Sequence, residues 1–333
     1  MRVLFNTQAF RFQNPGGGET VIMELYNGLK RKNIDVTLFN QWEDRLIDFD
    51  IIHEFHCLQR TNWFYYKQQC KHLVVTPTHW PQTTFFKRLK YHTKDRLLKL
   101  RGHQTELSAM SIPDLYLPTT KKEMTQIEKH YRKDLPYKVL PNGVHIPSPP
   151  QDENQWKKHF NIDDYILFVA NISPVKNLHR LIQVCNNLKL NLVIVGDASR
   201  ENISYLEFCQ NLSGPTIYYT GKLDQKSEDF NNVFYGARLL ALPSLFETCG
   251  LVALEAGIRG IPIVITSKGA TSEIYQEMAI YCNPEDESSI ANAINRAGKN
   301  QDHQKLQTYI EENYSWDKIV DQLIKYYQVV LNQ

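Results

Sequence analysis

Two glutamates, Glu247 and Glu255, lie eight positions apart in the stretch PSLFETCGLVALEAGIRGIPIVIT (Pro243–Thr266), which holds few other charges. The run LLALPS before Glu247 predicts a buried strand, GLVALEAGIRG predicts a helix, and IPIVIT predicts a second strand. The first glutamate is therefore expected in a loop at the carboxyl edge of a sheet, and the second about one turn into the helix that leaves this loop.

The start of that helix could bind an anion such as a diphosphate. Its free backbone N–H groups, from about Cys249 to Val252, and the helix dipole favour negative charge, and Gly250 allows close approach to the backbone. Carboxylates on either side of an anion can accept hydrogen bonds from sugar hydroxyls, so the pattern indicates a nucleotide-sugar site. The alternative is structural, with Glu255 a solvated helix residue and Glu247 an N-terminal cap.

Short apolar runs alternate with helical patterns in both halves of the chain, which predicts an α/β fold with parallel sheets. The expected strands are RVLFN, DVTLFN, FDIIHEF, HLVVTPT, DLYLPTT and YKVLPNGV in the first half, and YILFVANI, LNLVIVGD, TIYYTGKL, LLALPS and IPIVIT in the second. A proline-rich segment, Val144–Trp156, is the expected linker. We predict two doubly wound Rossmann-like domains with a cleft between them, and ligands at the carboxyl ends of the strands.

Composition narrows the function classes. The chain has 333 residues, a net charge of +2, 42% hydrophobic and 22% charged residues, which is typical of a soluble globular protein and argues against bulk nucleic-acid binding. Its six cysteines form no C-x-x-C pair, which predicts reduced cysteines in a cytosolic protein. No apolar run reaches the roughly 18 residues of a membrane-spanning helix, and the N-terminus does not look like a signal peptide.

Several other residues are candidates for binding. His79 follows a predicted strand at its carboxyl edge, and His53 and His56 flank the end of another, so one of these two could line an acceptor site. The segment Phe85–Arg101 carries seven basic residues against one acid with an incomplete apolar stripe, which fits either an anionic membrane surface or a solvated helix. The DFD triplet at 48–50 precedes its strand at the amino end, so we expect a structural role and no metal site.

The stretch around Glu247 and Glu255 resembles the E-x7-E signature of the retaining nucleotide-sugar glycosyltransferases of family 4, which have the GT-B fold. The resemblance covers nearly the whole chain. Further matches are PGGGE (Pro15–Glu19), FDIIHEFH, LPNGVHI, FVANISPVKN (Phe168–Asn177), YYTGKLDQKSEDFNNVFYGARLLALPS and ENYSWDKIVDQLIKYY. The resemblance implies an N-terminal acceptor-side domain at 1–147, a donor-binding domain at 148–312, and a C-terminal helix at 313–333 that returns to the first domain.

The resemblance also implies roles. Glu247 would bind hydroxyls of the donor sugar, Lys176 would stabilise the diphosphate, and His79 would orient the donor sugar. The ribose would be held by Glu255. The other implied donor-binding residues are Gly16, Gly17, Asn171, Gly221, Lys222, Leu223, Thr248, Cys249, Gly250 and Leu251.

One position departs from the family. An arginine usually stands five positions before the lysine, and here that position is Asn171. Either another cation substitutes, with Lys222 or Arg259 as candidates, or the leaving group is stabilised less.

The expected function is a metal-independent hexosyltransferase that uses a UDP- or GDP-linked sugar as co-substrate and no cofactor. Its acceptor would be a glycan or a lipid-linked glycan, in bacterial surface polysaccharide assembly, and the protein would be cytoplasmic or peripheral on the inner face of the membrane. The alternatives are a sugar-nucleotide epimerase on the same fold, or a non-catalytic protein that binds sugar nucleotides or polysaccharide.

Overall fold

The chain divides into two compact units, one formed by 1–143 with 316–333 and the other by 144–315. The computed structural model describes residues 1–8, 11–13, 16–57, 60–81, 85–131, 134–148, 162, 164–297 and 303–333, with the backbone only at 85–88 and 303. Most of the expected linker, residues 149–156, lies outside this description.

The first unit contains a five-stranded parallel sheet in the order β2-β1-β3-β4-β5. The strands are β1 (Arg2–Asn6), β2 (Asp35–Leu38), β3 (Ile51–Glu54), β4 (His72–Val75) and β5 (Leu115–Tyr116). The helices are α1 (Gly17–Arg31), α2 (Asn62–Gln69), α3 (Phe85–Leu100), α4 (Glu106–Ala109), α5 (Lys121–Tyr131) and the C-terminal α13 (Trp316–Leu331).

Helix α13 belongs to the first unit because its apolar face completes that core. Val320, Leu323 and Tyr327 are fully buried and share one cluster with strands β1 and β3. Gly28 on α1 lets the two helices approach, since a Cβ there would lie 2.4 Å from the Val320 side chain. The covering helix therefore comes from the far end of the chain.

The second unit contains a six-stranded parallel sheet in the order β11-β10-β9-β6-β7-β8. The strands are β6 (Tyr165–Val169), β7 (Asn191–Val195), β8 (Ile217–Gly221), β9 (Ala237–Leu242), β10 (Ile263–Thr266) and β11 (Ile280–Cys282). The helices are α6 (Leu178–Leu188), α7 (Ile203–Leu212), α8 (Glu228–Tyr235), α9 (Leu251–Gly257), α10 (Thr271–Tyr275), α11 (Glu287–Ala297) and α12 (His303–Tyr314). The predicted class, α/β with two doubly wound Rossmann-like domains, is confirmed.

In each sheet the chain adds strands first on one side and then on the other, so the strand order reverses at one point. Ligands of such sheets bind outside the carboxyl ends of the strands at this switch point. In the second unit this switch point lies between β6 and β9, and in the first it lies between β1 and β3. Because all strands of a sheet are parallel, the loops after β6 and β9 meet at one edge. The loop after β6 carries Lys176 and the loop after β9 carries Glu247.

Three expectations on local structure were wrong or incomplete. The segment YKVLPNGV forms only isolated bridges at Tyr137 and Val144, because Pro141 lacks the N–H that a strand would pair. The helix expected over Gly250–Gly260 is shorter, Leu251–Gly257. Strand β11 and helices α2, α4, α5, α8, α10, α11 and α12 were not predicted. In the part of the chain that the structure describes, no helix is long and apolar enough to cross a membrane.

Candidate functional site

Glu247 lies in the loop after β9, and the loop after β10 fixes its backbone. Its N–H donates to the Lys268 carbonyl and its own carbonyl accepts from the Ala270 N–H, both at 3.1 Å. Gly269 has φ +108°, and a Cβ there would lie 2.0 Å from the Glu247 carbonyl oxygen. Only glycine fits this crossing, so the loop after β10 fixes the backbone position from which the Glu247 side chain extends.

The Glu247 carboxylate pairs with Lys176. The Lys176 Nζ donates to Glu247 Oε2 at 2.6 Å, and the side chains are 28% and 11% exposed, respectively. The two residues are 71 positions apart in the chain, and they lie on opposite sides of the switch point of the second sheet. A cation and a carboxylate are thus held together where an α/β sheet binds its ligand.

Asn177, immediately after Lys176, ties the two loops together. Its backbone is left-handed, with φ 58°, and its side chain is fully buried. The side-chain amide donates to the carbonyls of Pro243 at 2.9 Å and Pro284 at 2.7 Å, and the Leu245 N–H donates to the Val175 carbonyl at 2.8 Å. These bonds fix the distance between the loops, and therefore the reach of Lys176.

Glu255 is partly buried on α9, and its burial raises its pKa to about 7, although Arg259 and His145 act to lower it. The Arg259 guanidinium donates to the Glu255 carbonyl at 2.7 Å and to Asn231 Oδ1 at 2.8 Å, and it covers the Phe234 ring. These contacts commit Arg259 to the fold, which argues against it as the substitute for the missing arginine.

The start of α9 has the geometry that a glycine requires, because Gly250 has φ +66°. The Tyr275 hydroxyl lies 3.0 Å from the Cys249 carbonyl and 2.9 Å from the Gly250 carbonyl. Leu251 is the first residue of the helix, and Cys249 and Gly250 are buried while Thr248 is partly exposed. The helix has seven residues, so its dipole alone is a weak basis for an anion site.

The remaining predicted donor residues of the second unit follow β6 and β8. Asn171 is exposed after β6. The Gly221 carbonyl accepts from the Gly196 N–H at 2.9 Å, and Gly221 has φ +73°. Lys222 is exposed and forms no ion pair with the residues described here, and Leu223 is partly buried. Of the two proposed substitutes, Lys222 is the one with a side chain not committed to the fold.

In the first unit, Gly16 precedes α1 and Gly17 begins it. The Gly16 N–H donates to Glu19 Oε2 at 2.7 Å, and Arg11 pairs with the same carboxylate and donates to the Phe55 carbonyl at 2.9 Å. Burial acts to raise the pKa of Glu19, but the Gly16 and Arg11 hydrogen bonds outweigh it and lower the pKa. The glycine loop is therefore held by an Arg–Glu pair.

His79 lies in the loop after β4 and is partly exposed. Its backbone N–H donates to Glu123 Oε1 at 3.1 Å, and its ring Nε2 lies 3.1 Å from the Tyr131 hydroxyl. Burial lowers the pKa of His79 to about 4, with smaller contributions from Arg60 and His130. The ring is therefore neutral at physiological pH.

His53 is fully buried, so the hypothesis that it lines an acceptor site is wrong. Its Nδ1 contacts the Tyr327 hydroxyl at 2.5 Å and its Nε2 contacts Thr76 Oγ1 at 2.8 Å. Burial lowers its pKa to about 3. This histidine joins β3 to α13 and has a structural role.

His56 and Glu54 form a second pair, at the switch point of the first sheet. The His56 Nε2 lies 2.7 Å from Glu54 Oε1, and the Asn6 side-chain amide donates to Glu54 Oε2 at 2.6 Å and to the Tyr66 hydroxyl at 3.1 Å. Asn6 ends β1 and Glu54 ends β3, and both are buried. The His56 side chain is 10% exposed, so the expectation that this histidine lines an acceptor site stays a prediction, with Glu54 and Asn6 holding its ring from behind.

Asp50 of the DFD triplet accepts a hydrogen bond from the Arg2 N–H at 2.7 Å, at the amino end of the sheet. Across the described ranges, no group of three or more His, Cys, Asp or Glu side chains could hold a metal ion. All six cysteines are buried, and none of them forms a disulfide bond.

Arg11, Arg60 and Tyr131 were missed in the sequence. Arg11 and Arg60 follow the carboxyl ends of β1 and β3, and both have buried or half-buried guanidinium groups. An arginine just beyond a parallel strand was the available signal, since ligands meet the sheet there. Tyr131 ends α5, 71 positions after Arg60, and carries no local signal.

A family model described as Glycosyl transferases group 1 matches residues 150–316, which is half of the chain. Those residues include Lys176, Glu247 and Glu255.

Curated relatives agree with this match. An uncharacterized glycosyltransferase of Methanocaldococcus jannaschii is 26% identical over 215 residues, 58% of this chain and 54% of that protein. The chain therefore spans about half the length of that relative. O-antigen chain mannosyltransferase C of Escherichia coli is 22% identical, with 99% of each chain covered.

Among solved structures, sucrose-phosphate synthase from Thermosynechococcus elongatus superposes with a TM-score of 0.77, 15% identity and 100% of both chains covered. HepE from Anabaena, solved in complex with UDP, superposes with a TM-score of 0.78, 16% identity, 99% of this chain and 100% of that one covered. Since these are glycosyltransferases of the GT-B fold, the GT-B fold class is confirmed; at such low identity the likeness is one of fold.

Proposed function

The chain belongs to the family of group 1 glycosyl transferases, and from this premise we propose that it transfers a hexose-type sugar from a nucleoside diphosphate to a glycan or glycolipid acceptor. The proposed donor is a UDP- or GDP-linked sugar, and the anomeric configuration is retained. Support for a nucleotide-sugar donor comes from the neighbour HepE, whose structures hold UDP and UDP-glucose.

The observation that carries the proposal is the Lys176–Glu247 pair, 2.6 Å apart at the switch point between β6 and β9. A nucleotide-sugar donor has an anionic diphosphate directly joined to a neutral sugar that is rich in hydroxyls. An ammonium beside a carboxylate offers one partner to each part, because the ammonium attracts phosphate oxygens and the carboxylate accepts from hydroxyls.

In the proposed reaction, the acceptor hydroxyl attacks the anomeric carbon from the side of the departing diphosphate. The bond from that carbon to the diphosphate oxygen breaks, a new glycosidic bond forms on the same face, and a departing phosphate oxygen takes the hydroxyl proton. Lys176 stabilises the charge that develops on the diphosphate, and Glu247 holds the donor sugar. No carboxylate pair at glycosidase spacing is needed.

Glu255 is proposed to hold the ribose. With a pKa of about 7 its carboxyl group is only partly ionised near neutral pH, and its ionised form can accept hydrogen bonds from both ribose hydroxyls. Lys222 is proposed as the second cation near the phosphates in place of the arginine that Asn171 replaces. In the first unit, Gly16, Gly17 and His79 are proposed to contact the donor.

Surface polysaccharide assembly is proposed because the relatives include the O-antigen mannosyltransferases C and B of Escherichia coli. Helix α3 supports a lipid-linked acceptor. Leu89, Leu97 and Leu100 are 45%, 56% and 76% exposed on it, whereas its one acid, Asp95, is buried. Among the side chains of this segment that the structure describes, the exposed basic ones are Lys90, Lys94, Arg96, Lys99 and Arg101. An exposed apolar stripe between basic side chains suits the surface of an anionic membrane.

The test begins with a thermal-shift screen of UDP, GDP and ADP and their hexose conjugates, because a ligand that binds only the folded state raises the melting temperature. The conjugate that stabilises the protein is then assayed for release of nucleoside diphosphate. Wild type should release it and Glu247→Gln should not, while Glu285→Gln, in an exposed pair with Lys268 in the same unit, should match wild type. Full activity of Glu247→Gln would refute the site, and tight binding without release would favour a non-catalytic binder.

Two further measurements test the finer claims. Activity should persist in EDTA, and restoration of lost activity by magnesium or manganese would refute metal independence. The anomeric configuration of the product, read by NMR, should match that of the donor, and an inverted product would refute retention.

A further inference from the structure

Arg60 organises a buried cluster at the carboxyl edge of the first sheet. Its guanidinium Nη1 donates to the Cys57 carbonyl at 2.8 Å and to the Tyr131 hydroxyl at 2.9 Å, its Nε lies 2.9 Å from Glu106, and its centre lies 4.9 Å from the Tyr131 ring. Its Nη2 lies 3.4 Å from the Tyr91 hydroxyl. The fixed fork of the guanidinium therefore determines where the Tyr131 hydroxyl lies.

The Tyr131 hydroxyl is buried between two nitrogen atoms, so its single proton must be accounted for. Arg60 Nη1 only donates, because a guanidinium has no acceptor. Among the residues that the structure describes, the other hydrogen-bonding partner of this hydroxyl is His79 Nε2, at 3.1 Å. A buried hydroxyl proton without an acceptor costs free energy, so the proton belongs in the bond to Nε2.

The position of this proton determines which ring nitrogen of His79 carries the imidazole proton. A neutral imidazole has one donor and one acceptor nitrogen, and if Nε2 accepts, the ring proton is on Nδ1. The groups facing the ring favour neutrality, since burial, Arg60 and His130 all lower the pKa of His79 to about 4. Glu123 binds the backbone N–H of His79 and not the ring.

We propose that Arg60 and Tyr131 are positioning residues that hold His79 as the Nδ1–H tautomer, so that His79 presents a hydrogen-bond donor to the substrate. The part about the substrate rests on the proposed function. An Nδ1–H group requires an acceptor opposite it, so the contacted substrate atom is a sugar hydroxyl or ring oxygen. We call Arg60, Tyr131 and His79 together the relay. This relay therefore selects an oxygen-rich ligand at the end of strand β4.

The first test is the tautomer in wild type, read by long-range ¹H–¹⁵N correlation on protein labelled at histidine. The His79 signals are assigned by their loss in His79→Gln. We expect a pyrrole-type Nδ1 and a pyridine-type Nε2 at pH 7. A proton on Nε2 in wild type would overturn the inference, and this result needs no other variant to fold.

The second test compares Tyr131→Phe with its matched control, Tyr91→Phe, which removes a hydroxyl near the same guanidinium but one that does not touch His79. Tyr131→Phe should let the Nε2–H tautomer appear, and Tyr91→Phe should not. An unchanged tautomer in Tyr131→Phe would contradict the relay. Far-UV circular dichroism of both variants separates this effect from unfolding.

Transfer activity gives the third readout, with the donor found in the screen. Loss of one oriented hydrogen bond should lower kcat/KM roughly three- to tenfold in Tyr131→Phe, with little change in Tyr91→Phe. Full activity of Tyr131→Phe with an altered tautomer would overturn the substrate contact while leaving the relay in place. A wild type that transfers from no donor would refute the proposed function, and the tautomer measurement would still decide the relay.

Discussion

Replacing Lys176 by methionine should destabilise the second unit as well as abolish transfer. Among the described residues, the change leaves the Glu247 carboxylate, 11% exposed, with only a long 3.4 Å contact from the Ser244 hydroxyl. Breaking a buried ion pair costs about 3–5 kcal/mol, and the 28% exposure of Lys176 puts this pair below that range, at about 2 kcal/mol. For a unit of this size, that lowers the melting temperature by roughly 4–8 °C.

The double variant Lys176→Met, Glu247→Gln separates the structural effect from the chemical one. It removes both charges, so it should recover most of the lost melting temperature, because no uncompensated carboxylate remains. It should recover none of the activity, since a lost transition-state cation costs on the order of 100-fold or more in rate. Differential scanning calorimetry and the release of nucleoside diphosphate measure the two quantities.

The pair Lys268–Glu285 is the matched control, because it is 3.7 Å apart with side chains 52% and 66% exposed. Its equivalent cycle should show a coupling below about 1 kcal/mol and full activity. If Lys176→Met melts like wild type, the pair contributes nothing to the folded state. If the double variant regains transfer, Lys176 acts on activity only by compensating Glu247.

The other predictions concern pH and membranes. Burial holds the pKa of His53 at about 3 in the folded chain, below its ordinary 6.5, so the unfolded state takes up a proton first as pH falls. The stability present above about pH 6.5 is therefore lost toward pH 3, by at most about 5 kcal/mol. In thermal melts, the melting temperature of His53→Gln should fall less steeply with decreasing pH than that of wild type. Because burial raises the pKa of Glu255 to about 7, affinity for the nucleotide-sugar donor should rise through pH 7 as the carboxylate forms, and calorimetric titration of Glu255→Gln should show no such rise. Wild type should sediment with phosphatidylglycerol vesicles at low salt and little with neutral ones. Replacing Leu97 and Leu100 by serine should weaken this sedimentation without changing donor hydrolysis. Equal sedimentation of wild type and this variant would mean that α3 is a solvated helix.

The sequence predicts the strands of the second unit well because each is a short, nearly continuous apolar run. Ile166 to Phe168 and Val193 to Val195 are buried on both faces, as parallel strands between helices are. Strand β11 was missed because it has three residues, Ile280–Cys282, which is too short for a periodic signal. The segment YKVLPNGV was misread because half of its residues are apolar, while Pro141 prevents regular pairing.

The candidate site was partly accessible from sequence for a similar reason. Parallel strands bring their carboxyl ends to one edge, so the loops holding Lys176 and Glu247 could be placed together. The direct pairing of these two side chains could not be predicted, because it depends on Asn177, which is buried, left-handed and bonded to loops 66 and 107 positions away. The full burial of His53 likewise depends on Tyr327, 274 positions away.

The two units hold their polar groups by different means, and this determines how each should respond to substitution. In the second unit, backbone bonds fix the loop that carries Glu247, because this residue is held through its own N–H and carbonyl, and the crossing at Gly269 leaves no room for a side chain there. A substitution at Glu247 therefore removes a carboxylate and leaves its loop in place. In the first unit, the ring of His79 is held through a side chain, because Tyr131 is placed by Arg60. Removal of Arg60 should therefore change the position and the tautomer of His79, although Arg60 does not contact it. The orientation of His79 thus depends on Arg60 and Tyr131, and the sequence around His79 gives no sign of this dependence.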